Sequence, residues 1–328
     1  MATVGDQFFE VQLQQRRERL RSALAASSES TTLVHLLQEV DSALERMKDG
    51  TFGLCETCHE SVEKDRLVAD PLVRYCLDHL TQPQRRALEE DLELASRIQR
   101  ALLPPRRLDA GEWQAHYLYE PAGAVSGDYC DLIRGENGRG DLLFLLGDVS
   151  GKGVAASMLM THLHAMFRSL ATVGMPLGRL LELANRVFCE STMAALYATL
   201  VCGRASCGGE LEIGSAGHLP AVLLRKSGVE TVPATGVPLG MFSDGQYEIR
   251  KTSLEPGDSL ILYTDGLSET RNPGGIEYGN ERVSRFCAGR HSASPEDLVS
   301  AYRNDVSSFA AGGPLTDDLT LLVIRRSA

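Results

Sequence analysis

Four short acidic, glycine-rich segments between residues 126 and 320 constrain this chain more than any other feature. They read Ser126-Gly127-Asp128, Gly147-Asp148-Val149-Ser150-Gly151-Lys152-Gly153, Tyr263-Thr264-Asp265-Gly266 and Thr316-Asp317-Asp318-Leu319-Thr320. Three of the four follow or adjoin an apolar run with the character of a strand. Alone, an Asp-Gly pair is a turn signal. Carboxylates delivered to strand ends from distant parts of a chain build a seat for hard divalent cations. The fold must therefore bring several strand ends to one place, and the chemistry expected there is metal-dependent phosphoryl transfer.

The rest of the chain can support such a fold. Its 328 residues are 43% hydrophobic and 23% charged, enough for a real core and for more than one unit. A net charge of −11 argues against bulk nucleic-acid or membrane-surface binding as the main activity. Met1 to Leu20 carries charges and no long apolar run, so it does not read as a secretory signal. No stretch is apolar enough to span a bilayer. The expectation is a cytoplasmic protein without membrane partners, its eight cysteines mostly reduced.

Residues 7–27 read as a first helix, and Ser27 to Thr32 as a polar break. Leu33, Leu37, Val40, Leu44 and Met47 recur at helical steps until Gly50 and Gly53. Leu88, Leu92, Ala95, Ile98 and Leu102 approximate a heptad seam flanked by Arg85, Glu89, Glu93 and Arg97, stopped by Pro104-Pro105. This is a linker helix, able to dimerise as a coiled coil or to pack on the next domain. Beyond it, short apolar runs at Leu142–Leu146, Ala198–Cys202, Ala221–Leu224, Ser259–Tyr263 and Leu319–Ile324 predict strands. Helical patterns lie around 155–171, 177–189 and 295–309. The organisation expected is a helical region with a finger over 1–83, a linker helix over 84–105 and an α+β domain over 106–328. Its sheet would be antiparallel and packed with helices rather than built from βαβ units.

Cys55 and Cys58, then seventeen residues, then Cys76 and His79, have the spacing of two knuckles around one structural zinc. His59, beside Cys58, is the other candidate for the fourth place. Cys130, Cys189, Cys202, Cys207 and Cys287 lack such spacing and read as small buried hydrophobes. Val40-Asp41-Ser42-Ala43-Leu44-Glu45-Arg46-Met47, Gly50-Thr51-Phe52-Gly53, Asp65-Arg66-Leu67 and Cys76 make residues 33–82 resemble the DksA/TraR-type zinc finger. That family commonly has cysteine where His79 stands. It includes RNA polymerase regulators, an activity not carried over, because the long acidic-tipped hairpin is not evident here.

From about residue 85 onward the chain resembles the SpoIIE/RsbU branch of PPM-type serine/threonine phosphatases. The segments that carry this are Gln99, Leu102-Leu103-Pro104, Pro121-Ala122, Ser126-Gly127-Asp128-Tyr129, Asp148 to Gly153, Ala216-Gly217-His218, Pro238-Leu239-Gly240, Thr264-Asp265-Gly266 and Asp317-Asp318-Leu319-Thr320. The resemblance implies an αββα sandwich, two antiparallel sheets with helices outside. It implies two Mn²⁺ or Mg²⁺ ions that activate water against a protein phosphoserine or phosphothreonine. The substrate implied is a phosphorylated anti-sigma-factor antagonist. On these terms Asp148 bridges the metals, the Val149 carbonyl binds the second, and Asp265 and Asp317 hold the first. Asp128 lies near them, directly or through water, and Asp318 is a neighbouring candidate ligand. Ser150 stands where the eukaryote-like branch has a histidine acid, so the general acid is unassigned, and no arginine is placed on the phosphate. His218, in a glycine-rich turn, reads as near the site or as a turn histidine.

The leading reading is a signalling protein phosphatase with a zinc-finger module that regulates it or recruits a partner. The alternatives are a catalytically inactive binding protein that works through its finger, and a small-molecule phosphatase.

Overall fold

The computed structural model describes residues 4–26, 31–80, 82–135, 140–193 and 195–327. Residues 27–30 of the expected polar break lie outside that set. The chain divides into two compact units, residues 1–91 and 92–328.

The first unit is built on a helical pair, α1 (Val4–Ala26) and α2 (Thr31–Lys48). Leu13 of α1 is buried with Val40, Ala43 and Leu44 of α2, the face that the helical spacing exposes to a partner. The cysteine segment follows, with a short α3 (Lys64–Ala69) and a single 3₁₀ turn at Leu77–His79. Phe9, Val62 and Leu67 close around Cys55 and Cys76 to give the finger its own small core. The linker helix α4 runs Gln82–Leu102, and the division between units falls within it. Leu88 and Ile98 of its seam are exposed, and Gln99 is its buried residue. Among the described residues no helix is long and apolar enough to cross a membrane.

The second unit is a sandwich. Its strands are β1 (Arg107–Ala110), β2 (Trp113–Glu120), β3 (Tyr129–Arg134), β4 (Leu142–Val149), β5 (Ala198–Ala205), β6 (Glu210–Ala216), β7 (Ala221–Arg225), β8 (Gly228–Val232), β9 (Arg250–Ser253), β10 (Ser259–Tyr263) and β11 (Leu319–Arg326). They form a six-stranded sheet ordered β1-β2-β11-β10-β7-β8 and a five-stranded sheet ordered β3-β4-β5-β6-β9. Every strand pairing in both is antiparallel. The helices are α5 (Gly153–Ala171), α6 (Leu177–Ser191), the four-residue α7 (Asp265–Ser268), α8 (Asn280–Cys287) and α9 (Pro295–Phe309).

Three apolar layers hold it together. Trp113, Phe144, Leu146 and Leu322 belong to the layer between the sheets. Leu145, Met160, Phe167, Leu181 and Phe188 pack α5 and α6 on the five-stranded sheet. Ile261, Leu321, Leu298 and Tyr302 pack α9 on the other. Central strands β4 and β11 are covered on both faces, which is why their sequences are continuous apolar runs. Helix α9 begins on a capping Ser294, whose side chain accepts from the Asp297 amide, with Pro295 next. Of the cysteines expected to be buried, Cys130, Cys202 and Cys287 are. Cys189 is half-buried and Cys207 is exposed, because it lies in the turn before β6.

Candidate active site and metal centre

Strand pairing explains why the four acidic segments meet. In the five-stranded sheet β3 and β4 are antiparallel neighbours, with Tyr129 opposite Gly147. The start of β3 therefore lies beside the end of β4, putting Asp128 next to Asp148. In the six-stranded sheet β10 and β11 are antiparallel neighbours, with Tyr263 opposite Leu321. The end of β10 and the start of β11 thus bring Asp265 near Asp317 and Asp318. The two pairs face one another at one end of the sandwich. Asp128 crosses between the sheets: its Oδ2 accepts from the Thr264 hydroxyl at 2.9 Å and the Thr320 hydroxyl at 2.5 Å.

Electrostatics record how close the carboxylates are. Asp148 is pushed up to about 7 by burial, then by the charges of Asp265, Asp317 and Asp318. Asp265 is raised by burial and by Asp317 and Glu269. Asp128, 1% exposed, is held well above the usual carboxylate range by burial and by Asp148. Its Oδ1 is buried without a hydrogen-bond partner. A cluster of hard oxygen donors that repel one another, with an orphaned buried carboxylate oxygen below, fits divalent cations.

Asp317 and Asp318 are adjacent but differently used. Asp317 faces the cluster, with Lys152 Nζ 2.8 Å from its Oδ2. Asp318 adds its charge to the cluster but is bonded to backbone. Its two oxygens accept from the backbone amides of Ala122 and Gly127, both at 2.8 Å. It clamps the loop that delivers Asp128 to the start of β11. Gly266 is required beside it, since a Cβ there would lie 2.0 Å from the Asp318 carbonyl oxygen. Gln99 fixes the same loop from α4. It donates to the Ser126 carbonyl at 2.6 Å and accepts from the Ser126 amide at 2.9 Å.

Val149 closes β4, its side chain buried. Ser150 is tied to the chain rather than aimed at a substrate. Its hydroxyl accepts from the Tyr197 amide at 3.0 Å and its amide donates to the Tyr197 carbonyl at 2.8 Å.

Two supports complete the site: His218, in one of the two readings its sequence context offered, and an Asp131–Arg168 pair that carried no signal in the sequence. His218 is buried, with Nδ1 2.9 Å from the Thr199 hydroxyl and Nε2 3.1 Å from the Tyr263 carbonyl. With the proton on Nε2, Nδ1 accepts from Thr199. Burial pushes this imidazole down to about 4. Asp131, fully buried on β3, accepts from Arg168 Nε at 2.8 Å and Nη2 at 2.6 Å, which pins α5 to the sheet.

In the first unit the ligating atoms of Cys55, Cys58, Cys76 and His79 lie within 4.8 Å of one another. Cys58 and Cys76 sulfurs are 3.8 Å apart, and His79 Nδ1 is 3.2 Å from Cys76 Sγ. Burial opposes ionisation of Cys55. The amides of Cys58, Cys76 and Thr57 outweigh it and bring the thiol down to about 6. His59 instead takes a left-handed turn at φ 58°, its amide bonded to the Cys55 carbonyl at 2.8 Å. Three sulfurs and an imidazole that converge from two knuckles fit zinc.

The family model for stage II sporulation protein E (SpoIIE) matches residues 138–327. The chain belongs to the SpoIIE family. A second model, the prokaryotic dksA/traR C4-type zinc finger, matches residues 50–78. The chain is thus a PPM-type family member with an N-terminal DksA/TraR-type finger. It is 27% identical over 267 residues to protein IcfG of Synechocystis sp., an alignment that covers 72% of this chain and 42% of that one. The chain therefore spans less than half the length of IcfG. It is 24% identical to the phosphoserine phosphatase RsbU of Bacillus subtilis, covering 73% of this chain and 71% of RsbU. In fold it is similar to the SiaA-PP2C domain of Pseudomonas aeruginosa. The TM-score is 0.65 at 20% identity, covering 74% of this chain and 97% of that domain. The αββα sandwich expected from the sequence is the fold observed.

Proposed function

We propose that this protein is a metal-dependent phosphatase that hydrolyses phosphoserine or phosphothreonine on a regulatory protein of the anti-sigma-factor-antagonist class. The observation that carries the reading is the convergence of Asp148, Asp265 and Asp317 from the ends of strands in two sheets, close enough that Asp265 and Asp317 raise the proton affinity of Asp148. The similarity to the phosphoserine phosphatase RsbU supports the reaction class.

Asp148, Asp265 and Asp317, with Asp128 beneath them and the carbonyl of Val149 beside them, would hold two Mn²⁺ or Mg²⁺ ions. Such ions supply charge neutralisation at the phosphate and a nucleophilic water at neutral pH. The remaining work belongs to the chain. Asp318 and Gln99 hold the 121–128 loop so that Asp128 stays buried. The Thr264 and Thr320 hydroxyls keep the Asp128 carboxylate oriented. Ser150 fixes the turn after Asp148. Cys55, Cys58, Cys76 and His79 would hold one zinc that stabilises the finger, which serves as the regulatory or recruiting module, and α4 offers a seam for a second copy of the chain.

Hydrolysis of p-nitrophenyl phosphate by the full chain, with Mn²⁺ and with chelator, tests the reaction. Turnover that needs metal and vanishes in Asp148→Asn is expected, followed by dephosphorylation of a phosphoserine protein. Metal binding without turnover on either substrate would overturn the reading.

A further inference from the structure

Resting on the phosphatase reading, the geometry points to Lys152 as a substrate-binding residue that grips a nonbridging oxygen of the phosphoryl group. A phosphate ester approaches this site as an anion, and the site is crowded with carboxylates: Asp128, Asp148, Asp265, Asp317 and Asp318. Two divalent ions would not offset all five. Lys152 is a basic side chain set against this cluster, paired with Asp317.

Its placement suits a movable grip rather than a fixed strut. The ammonium lies at the rim of the cluster, 2.8 Å from Asp317 Oδ2 and 3.1 Å from the Thr316 carbonyl oxygen, with the side chain 69% exposed. An exposed ion pair of this kind is weak and easily exchanged for a better partner. Gly151 at φ 102° and Gly153 at φ 68° flank Lys152, each with open space where a side chain would be. Helix α5 begins at Gly153 with no side chain capping its first amides, so these donors lie beside the lysine. A divalent ion held by Asp317 would compete with the ammonium for this carboxylate, and the four-carbon stem would let the ammonium turn to phosphate.

The test compares wild type, Lys152→Met and Lys152→Arg in the full Mn²⁺-loaded chain. Inorganic phosphate binding is followed by phosphorus NMR relaxation, and KM and kcat are measured on p-nitrophenyl phosphate. Lys152→Met is expected to weaken phosphate binding and raise KM by about tenfold or more, with kcat changed less, and Arg to restore most of both. Mn²⁺ affinity should hold or tighten in Lys152→Met, because the competing ion pair is gone. Phosphate that binds wild type and Lys152→Met equally, or fails to bind wild type, overturns the assignment. If wild type binds phosphate but does not turn over, the phosphatase reading fails while the binding contrast still decides the role of Lys152.

Discussion

Nε2 of His218 donates to the Tyr263 carbonyl oxygen at 3.1 Å, and through that bond the five-stranded sheet is tied to the strand that ends beside Asp265. Its Nδ1 meets Thr199, whose register partner is Asp148. One neutral imidazole thus braces β10, which ends beside Asp265, and β5, the neighbour of the strand that carries Asp148. His218→Ala is expected to cost roughly 1–3 kcal/mol by urea denaturation, since the Thr199 hydroxyl and the Tyr263 carbonyl each lose a hydrogen bond to a buried side chain. Manganese affinity should fall with it. The imidazole titrates at about 4 in the folded chain, below its unfolded value. Its contribution is therefore full above the unfolded pKa near 6.5 and is lost as pH falls through about 4.

Asp148 has the opposite sign. Its folded pKa, about 7, lies above the unfolded one, so the metal-free chain gains from this group at low pH and loses that gain as pH rises through 7. At pH 8, metal-free Asp148→Asn should be more stable than wild type by roughly 1–3 kcal/mol, although inactive. Thermal melts with chelator from pH 5 to 8 measure this directly. A variant no more stable than wild type at pH 8 would contradict the crowding described for this site. Manganese affinity should also drop below pH 7, with protons released on binding.

Asp317 and Asp318 should separate in calorimetry. Asp317→Asn is expected to lose a metal site. Asp318→Ala should keep the metal stoichiometry but weaken affinity and lower activity by about 10–100-fold, because the Ala122 and Gly127 amides lose their acceptor. Asp318→Asn, which retains one acceptor oxygen, should fall between.

For the finger, His79→Ala is expected to weaken zinc by at least about tenfold, and His79→Cys to retain it. A competing chromophoric chelator reads both. The second unit has its own cores, so the main melting transition of residues 92–328 should survive zinc removal.

Much of this architecture was legible because burial writes itself into sequence. Strands covered on both faces, such as Leu142–Val149 and Leu319–Arg326, are apolar runs that end at the acidic residues they position. Edge strands are not: Arg250–Ser253 is largely solvent-facing and carries no pattern. Nor can composition tell Asp317 from Asp318. They are the same residue type, and only the path of the 121–128 loop decides which carboxylate is taken by amides. The partners of His218 and the Asp131–Arg168 pair were hidden for a related reason. Each joins segments far apart in the chain, and no local spacing announces the contact.

The strand that ends at Arg326 lies in the middle of the six-stranded sheet, between β2 and β10. Its two flanking strands have no mutual edge to share until it arrives. On the ribosome, Asp128, Asp148 and Asp265 would all emerge before the segment that sets them in place. The second unit therefore completes its six-stranded sheet only when this strand pairs, and such long-range pairing is slow by nature. Premature termination anywhere before residue 319 would leave that sheet unclosed, a client for chaperones and proteases.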